Sequence, residues 1–461
     1  MANSMGGQSG VETHGIDHIQ EEDRHGSPRS LFTIWSSTNL TVAAFTTGGL
    51  SIQLGLGLWS SFVAMIIGIA LGAVLIAVMS RTGWELGIPQ MLMTRPTFGR
   101  IGAILPVVIV WVNFLGWFTI LDVLGAQALH AGFGLSMAAG IIILAAITVF
   151  LGVYGNTLVQ AAEKWIAILG GIIFIVVAIL AIPHVNWSYA GDPKVTGSNW
   201  WGAIVMVAAV AFSYAGPGYT PYASDYTRYL PRSTKFRSIF GATFWGMTIS
   251  CTFIFCLGAA VLTTNPTGDP MQLIVQLTGP FSKPALCAMA LGTIGAGAMN
   301  IYSGGLTALV SGIKVNRWVS ALAIGVVGTL VAVWAQAQIE VKYENYLMLV
   351  LYTIPPMDAI FIMDFFFIRK RRYTITDFYN NGFPAFHFAG WVSYLVGIII
   401  SIPFMSSALY TGPIAKYFHG ADISYVISIV VTGGLYFLLK RKSLVTVPDL
   451  DPPSTEGALP M

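Results

Sequence analysis

Charge is what this chain has least of. Of 461 residues, 9% are Asp, Glu, Lys or Arg, where a soluble domain carries about a quarter. Hydrophobic residues make up 55%. A water-soluble fold built this way would expose large apolar patches and precipitate, whereas a bilayer removes the difficulty. Cysteines number three, Cys251, Cys256 and Cys287, all inside apolar runs. That excludes a disulfide framework and a zinc site, and small buried apolar residues are the plain reading. The seven histidines lie in the tails or near the ends of apolar runs, with His387 the nearest to an exception. The sequence has no HExxH, no nucleophile motif and no nucleotide-binding loop, which argues against a membrane-embedded hydrolase or lipid transferase and against an ATP-driven pump. No enzyme activity, catalytic residue, metal, cofactor or nucleic-acid partner is expected.

What is present is a succession of long apolar runs. Residues 1–30 and 443–461 are polar, rich in Gly, Ser or Pro, and read as disordered tails around one transmembrane domain at 31–442. Twelve runs in it are long enough to span hydrocarbon: 32–55, 57–80, 103–129, 136–154, 161–182, 201–222, 237–262, 285–310, 318–337, 345–367, 386–406 and 422–439. Twelve crossings put both termini on one side. Nineteen of the 23 Lys and Arg then share that side, against Lys194, Lys283, Lys342 and Lys416 on the other. By the positive-inside rule both termini are expected in the cytoplasm, and the asymmetry itself supports the count.

Backbone that leaves the helix inside lipid strands its polar groups, so interruptions survive where they line a cavity or a site. The first run contains Thr46-Thr47-Gly48-Gly49, and the sixth contains Tyr214-Ala215-Gly216-Pro217-Gly218-Tyr219. Close packing is the plain reading of a single glycine in a membrane helix. Gly-Pro-Gly near mid-span is different, because proline removes a donor and the glycines let the chain unwind. Interruptions five runs apart lie on helices that cross in opposite senses. They suggest inverted repeats at about 31–185 and 200–368, with two additional helices at 385–440. Paired breaks of this kind point to the binding site of a carrier, and a channel would more often show pore-lining repeats or charged rings.

Six stretches, TTGGLSIQLGLGLW (46–59), LGIPQMLMTRPTFGRIGAILP (86–106), LGWFTILDVLGAQAL (115–129), PYASDYTRYLP (221–231), MNIYSGGL (299–306) and MDFFFIRKRRY (363–373), spread over most of the chain. Together they resemble the nucleobase:cation symporter family of cytosine, purine, allantoin and hydantoin permeases, and most of all its purine–cytosine branch. The resemblance implies an all-α, LeuT-like five-plus-five bundle with solute held between helices 1, 3, 6 and 8. It implies secondary symport of a nucleobase or related heterocycle, cytosine or purine first, by alternating access in the cell membrane. An allantoin, hydantoin or pyridine-vitamin importer coupled to Na⁺ is the alternative, and a monomer suffices for either.

On that resemblance Trp117 is the stacking tryptophan of helix 3, for which mid-span position argues against an interfacial anchor. Asn113, four residues earlier and on the same face, can read a ring edge or tie two helices together. The family's Gln one turn from this Trp is missing, since Phe114 and Leu121 stand there. Around the second break Phe212, Tyr214 and Tyr219 are the available aromatics, and Gly216 and Gly218 offer backbone groups. Asn300 is the candidate amide on helix 8. Asp225 and Arg228, three apart, form either an intrahelical pair or part of an inner gate.

Sodium symporters of this fold hold the ion between the first break, here taken as Ala43, Phe45, Thr46, Thr47 and Gly48, and hydroxyls on helix 8. Aligned on this chain, the hydroxyl pair falls on Gly295 and Ala296, which carry no side-chain oxygen, and Thr293 is out of phase. H⁺ is therefore expected over Na⁺. A proton needs an ionisable group at membrane depth, and Asp122 and Asp358 qualify. Asp122, five residues past Trp117, points about 140° away around the helix. Glu163, beside Lys164, reads as interfacial.

Overall fold

Without water, a backbone can satisfy its own polar groups locally only as helix. Among the described residues of this computed structural model, 15–313, 315–379 and 384–441, no strand forms, and only two isolated bridges occur, Leu56–Gly191 and Ser406–Thr411. The principal helices in chain order are α1 (Pro28–Ser37), α2 (Val42–Gln53), α3 (Leu58–Leu86), α4 (Ile104–Phe133), α5 (Met137–Tyr154), α6 (Asn156–Trp165), α7 (Gly171–Ala181) and α8 (Ser198–Ala215). They continue as α9 (Ala223–Thr227), α10 (Phe236–Leu262), α11 (Ser282–Val310), α12 (Arg317–Ala335), α13 (Ile339–Ile362), α14 (Phe388–Ser401) and α15 (Ser424–Lys440). Nine helical segments among the described residues are long and apolar enough to cross a membrane, and α14 and α15 are shorter apolar helices. Their outward faces carry large apolar residues such as Ile172, Ile179, Leu330 and Val430.

Inside the bundle, small residues let backbones approach. Along the α4–α11 seam, Gly297 and Gly304 of α11 lie against Phe118 and Phe114, and Gly125 of α4 lies against Thr293. The first interruption sits closest to this seam. Ser27 and Ser30 start α1 with a reciprocal capping box, and Pro28 takes its first position. The helix stops at Ser37 and restarts at Val42, where the Thr41 hydroxyl accepts from the Ala44 amide at 3.1 Å.

The break is thus Thr38–Thr41 and not Thr46–Gly49, through which α2 runs unbroken. The Thr41 cap restarts the helix before the glycines are reached. Those glycines serve packing instead: a Cβ on Gly48 would run into the Phe255 carbonyl of α10, and one on Gly49 would come within 3.0 Å of Leu262. The second interruption separates α8 from α9 at the Gly-Pro-Gly, where Gly216 takes φ −114° and ψ −90° and a short 3₁₀ turn, Thr220–Tyr222, follows.

Residues 15–30, expected as part of a loose tail, are folded onto the arginine-rich end. The Gly15 carbonyl accepts from Arg228, the Ile16 carbonyl from the Tyr379 hydroxyl, and Arg24 donates to the carbonyls of Trp84 and Leu230. Burial lowers Arg24 to about 10, with Arg232 adding repulsion, so it remains charged at neutral pH. The tails at 1–14 and 443–461 lie outside the described residues.

Gly292 of α11 is the position on which the first break depends, because a Cβ there would collide with the Leu40 carbonyl. Backbone cannot yield as a flexible side chain does, and overpacking costs about 1–3 kcal/mol. Gly292→Val should lower the thermal unfolding midpoint in detergent, while Gly434→Ala, which meets open space, should leave it unchanged. Equal midpoints for the two variants would mean that the break does not rest on Gly292.

Candidate functional site

Trp117 lies halfway along α4 and is 3% exposed. Four tyrosines surround its indole. Tyr219, just past the second break, lies nearly parallel to it at 6.4 Å and 25°, while Tyr214, Tyr343 and Tyr346 present edges at 5.4, 6.1 and 5.4 Å. Offset and edge-to-face pairs of this kind suit the ring quadrupole and leave a flat, apolar wall with polar tips.

The tips bind the interruptions together. The Tyr219 hydroxyl donates to the Thr38 carbonyl at 3.4 Å, and the Thr41 and Tyr214 hydroxyls lie 3.4 Å apart. The Tyr343 hydroxyl meets the Thr47 hydroxyl at 2.7 Å, and Thr47 also donates to the Ala43 carbonyl at 2.7 Å. Two breaks and three further helices therefore converge on one tryptophan.

At this wall Nε1 of Trp117 and Nδ2 of Asn113 are buried without a hydrogen-bond partner, and so is Oδ1 of Asn300 on α11. Native interiors rarely leave such groups unmatched, and those that persist mark a functional site or an exchangeable partner. Asn113 is tied to the cluster through Tyr346, whose hydroxyl donates to its carbonyl at 2.6 Å and its Oδ1 at 2.7 Å. Asn300 donates to its own helix at Ala296, 2.8 Å away. It shares the α11 face of Gly297 and Gly304, which lie against Thr148 of α5 and Ile324 of α12 with Phe118 and Phe114 of α4 next to them.

Other expected members stand elsewhere. Phe212 stacks on Tyr425 of α15 at 4.7 Å, so it packs the bundle away from the indole. The amides of Gly216 and Gly218 are already given to the carbonyls of Phe212 and Ser213, both at 2.8 Å, and are not free for a ligand. Gly218 is instead needed for clearance, since a Cβ there would lie 3.0 Å from the Trp117 ring. On the first break, Phe45 and Gly48 face α10, because a Cβ on Gly258 would strike the Phe45 carbonyl. Thr46 is buried on α2 within the same helical run. Leu40–Thr41 is the stretch that lies against Gly292 of α11, while Gly295 lies against Glu163 and Ile166 and not against Ala43–Gly48. Thr293 donates to Ala290 at 2.7 Å and abuts Gly125 of α4.

Asp225 accepts from the Gln90 amide at 2.9 Å, and the buried Arg228 donates to Tyr229, Tyr302 and the Gly15 carbonyl. Asp358 accepts from Thr220 at 2.6 Å, directly after the second break. Asp122 is buried with Oδ2 unpartnered. Glu163, expected near the interface, is fully buried. Sequence reasoning also missed Tyr343 and Tyr346. Their spacing of three puts both on one face of α13, but they fall at the edge of the run begun at 345, where a tyrosine passes for an interfacial anchor.

Interrupted helices meeting at an aromatic core inside an all-helical, lipid-facing bundle define a membrane transport protein. A family profile described as permease for cytosine/purines, uracil, thiamine, allantoin matches residues 18–428. The chain belongs to that permease family and is a transporter, not an enzyme. It is similar to YxlA of Bacillus subtilis, which carries a provisional purine-cytosine permease name, at 30% identity over 94% of this chain and 97% of that one. It is similar at 26% to the purine-cytosine permease fcyB of Emericella nidulans, covering 93% and 88%. Its fold is that of Mhp1, a nucleobase-cation-symport-1 family transporter in a closed conformation with bromovinylhydantoin bound, with TM-score 0.78, 19% identity, and 95% and 97% of the two chains covered.

Removing the Tyr346 hydroxyl would strand Oδ1 of Asn113 beside an already unpartnered Nδ2. A buried polar group left unmatched costs about 1–3 kcal/mol. Tyr346→Phe is expected to lower the unfolding midpoint of purified protein, and Tyr417→Phe, on an exposed ring, is not. A Tyr346→Phe midpoint equal to wild type would remove the Asn113–Tyr346 pair from the account of the site.

Proposed function

We propose that this chain is a secondary symporter that imports a nucleobase or related small heterocycle, cytosine or a purine first, by alternating access and with H⁺ as the coupling ion. The observation that carries the solute class is Trp117. A planar heteroaromatic ring gains stacking energy on an indole face and needs hydrogen-bond partners at its edge. The unmatched Nε1 of Trp117, Nδ2 of Asn113 and Oδ1 of Asn300 supply two donors and one acceptor for it. Tyr219 covers the indole, so entry of a flat solute requires that ring to move. Tyr214 completes the wall. The names of the relatives agree with this solute class.

The architecture that goes with the proposal is twelve crossings, if α1–α2, α6–α7 and α8–α9 each count as one. α1 to α7 would form the first repeat and α8 to α13 its inverted partner, with α14 and α15 outside. Both termini would lie in the cytoplasm and the chain would work as a monomer in the cell membrane. Asp225 and Arg228, close to the segment that begins at Gly15, would form part of the inner gate.

Proton coupling rests on two features. Gly295 and Ala296 offer no side-chain oxygen to a sodium ion, and Thr293 turns to α4. Three carboxyls, Asp122, Glu163 and Asp358, are buried at membrane depth, and such groups are functional candidates by default because their charge is costly there.

Two measurements test the reading. In proteoliposomes, uptake of labelled cytosine or hypoxanthine should saturate, ignore Na⁺ and collapse with a protonophore; steep Na⁺ dependence at fixed pH and voltage would reject H⁺ as the ion. Base–aromatic stacking is worth about 1–3 kcal/mol. Trp117→Ala should therefore weaken binding on the order of tenfold or more while the protein still inserts. Unaltered binding by that variant would take the solute away from Trp117.

A further inference from the structure

Both oxygens of Glu163 are buried without a hydrogen-bond partner, where Asp122 and Asp358 have one such oxygen each. Glu163 is 0% exposed. Its neighbours explain why it is there. A Cβ on Gly295 of α11 would lie 2.8 Å from its Oε1 and 3.0 Å from its Cδ, so glycine at 295 makes the space that the carboxyl fills. On the same face of α11, one turn earlier, Gly292 lies against the Leu40 carbonyl of the first break. Ser37, the last residue before that break, is the polar neighbour from α1, and its hydroxyl is spent on the carbonyls of Thr33 and Ile34. The carboxyl therefore sits at the junction of α6, the first break and α11.

Few charges surround it. Tyr219 and Tyr222, from beyond the second break, are within electrostatic reach. Thr148 of α5 lies on the Gly297 side of α11, and Lys164, next along α6, is exposed. No ion pair to Glu163 is present among the described residues. Directly after it, α6 passes into one turn of π-helix, Ile166–Gly170, and the Ile166 side chain shares the contact with Gly295. Single π turns are rare and concentrate at functional places.

Among the described residues no cation stands beside it, and the one donor near it, the Ser37 hydroxyl, is already turned to its own helix. An ionised carboxylate is costly in such surroundings, whereas the neutral acid is tolerated. We propose that Glu163 is the proton-coupling residue of the transporter, a carboxyl lodged between the first helix break and Gly295 that is protonated while this junction is closed and releases its proton when the break parts from α11 and water enters. The inference rests on the symport reading above and names the group within it. The carried proton is taken from water on one side as the junction closes and returned to water on the other as it opens, with no other bond changed. Solute and proton are linked through Tyr219, which stacks on Trp117 and donates to the Thr38 carbonyl. A solute that displaces that ring pulls on the break that covers Glu163. Asp358 already accepts from Thr220, and Asp122 projects away from the Trp117 face.

The test is Glu163→Gln in full-length protein reconstituted into liposomes, with labelled cytosine as probe and Glu163→Asp beside it. One proton per cycle at 100 mV supports about a 40-fold accumulation. Wild type should approach that ratio, Glu163→Gln should fall to equilibration while retaining counterflow, and Glu163→Asp should recover part of the ratio. Proton-driven accumulation by Glu163→Gln at the wild-type level would overturn the assignment and leave the symport reading standing. A wild-type protein that accumulates neither cytosine nor hypoxanthine on a proton gradient would overturn the symport reading itself. Accumulation that instead needs Na⁺ and loses that need in Glu163→Gln would make Glu163 a sodium ligand and defeat the proton assignment. Should Glu163→Gln not fold, labelling of wild type by dicyclohexylcarbodiimide decides. The expected adduct maps to Glu163 and fades as pH rises, and an adduct at Asp122 or Asp358 with none at Glu163 overturns the proposal.

Discussion

Every feature of the site follows from one constraint: a chain that leaves the helix inside hydrocarbon must find partners for its backbone close by. The first break meets it with the Thr41 cap and with the Tyr219 hydroxyl, which donates to the Thr38 carbonyl, while Tyr214 lies beside the capping hydroxyl itself. The second meets it by turning the amides of Gly216 and Gly218 back onto Phe212 and Ser213. The second interruption satisfies its own amides, the first borrows the Tyr219 hydroxyl from it, and Tyr214 and Tyr219 set both against Trp117. Under the proposed function, binding energy delivered at the indole would thus reach both breaks at once.

Small residues carry the other half of the design. Gly72 of α3 and Gly216 approach so closely that a Cβ on Gly72 would lie 2.6 Å from the Gly216 nitrogen. Gly292 admits the Leu40 carbonyl and Gly295 admits the Glu163 carboxyl. Where lipid offers helices no hydrophobic reason to associate, close approach and hydrogen bonds supply the cohesion. In this chain the same closeness brings polar groups to places that side chains of ordinary size would fill.

The helical architecture was legible because composition and run length are nearly sufficient in lipid. Gly-Pro-Gly marked the second break, since proline and glycine impose their conformations locally. The first break was misplaced because the Thr41 cap is a local hydrogen bond that competes silently with a conspicuous pair of glycines, whose work turned out to be packing against Phe255 and Leu262. Trp117, Tyr214 and Tyr219 were found through family likeness and proximity to the breaks. Phe212 lies one helical turn from Gly216, yet points to Tyr425, a partner far off in sequence. Glu163 escaped for a related reason. Beside Lys164 it looks like a residue at the water's edge, and only the tertiary fold reveals that Glu163 is buried while Lys164 is exposed.

The segment from Gly15 to Ser27 laces three parts of the arginine-rich end together, through Arg228, Tyr379 and the carbonyls of Trp84 and Leu230. Under the proposed alternating access, parts of that end separate in each cycle, and a lace across it acts as a latch: its bonds favour the closed arrangement, so their strength bears on the opening rate and on the balance between the two arrangements. Changes confined to this strip of thirteen residues would therefore move turnover and apparent affinity together without touching the aromatic wall.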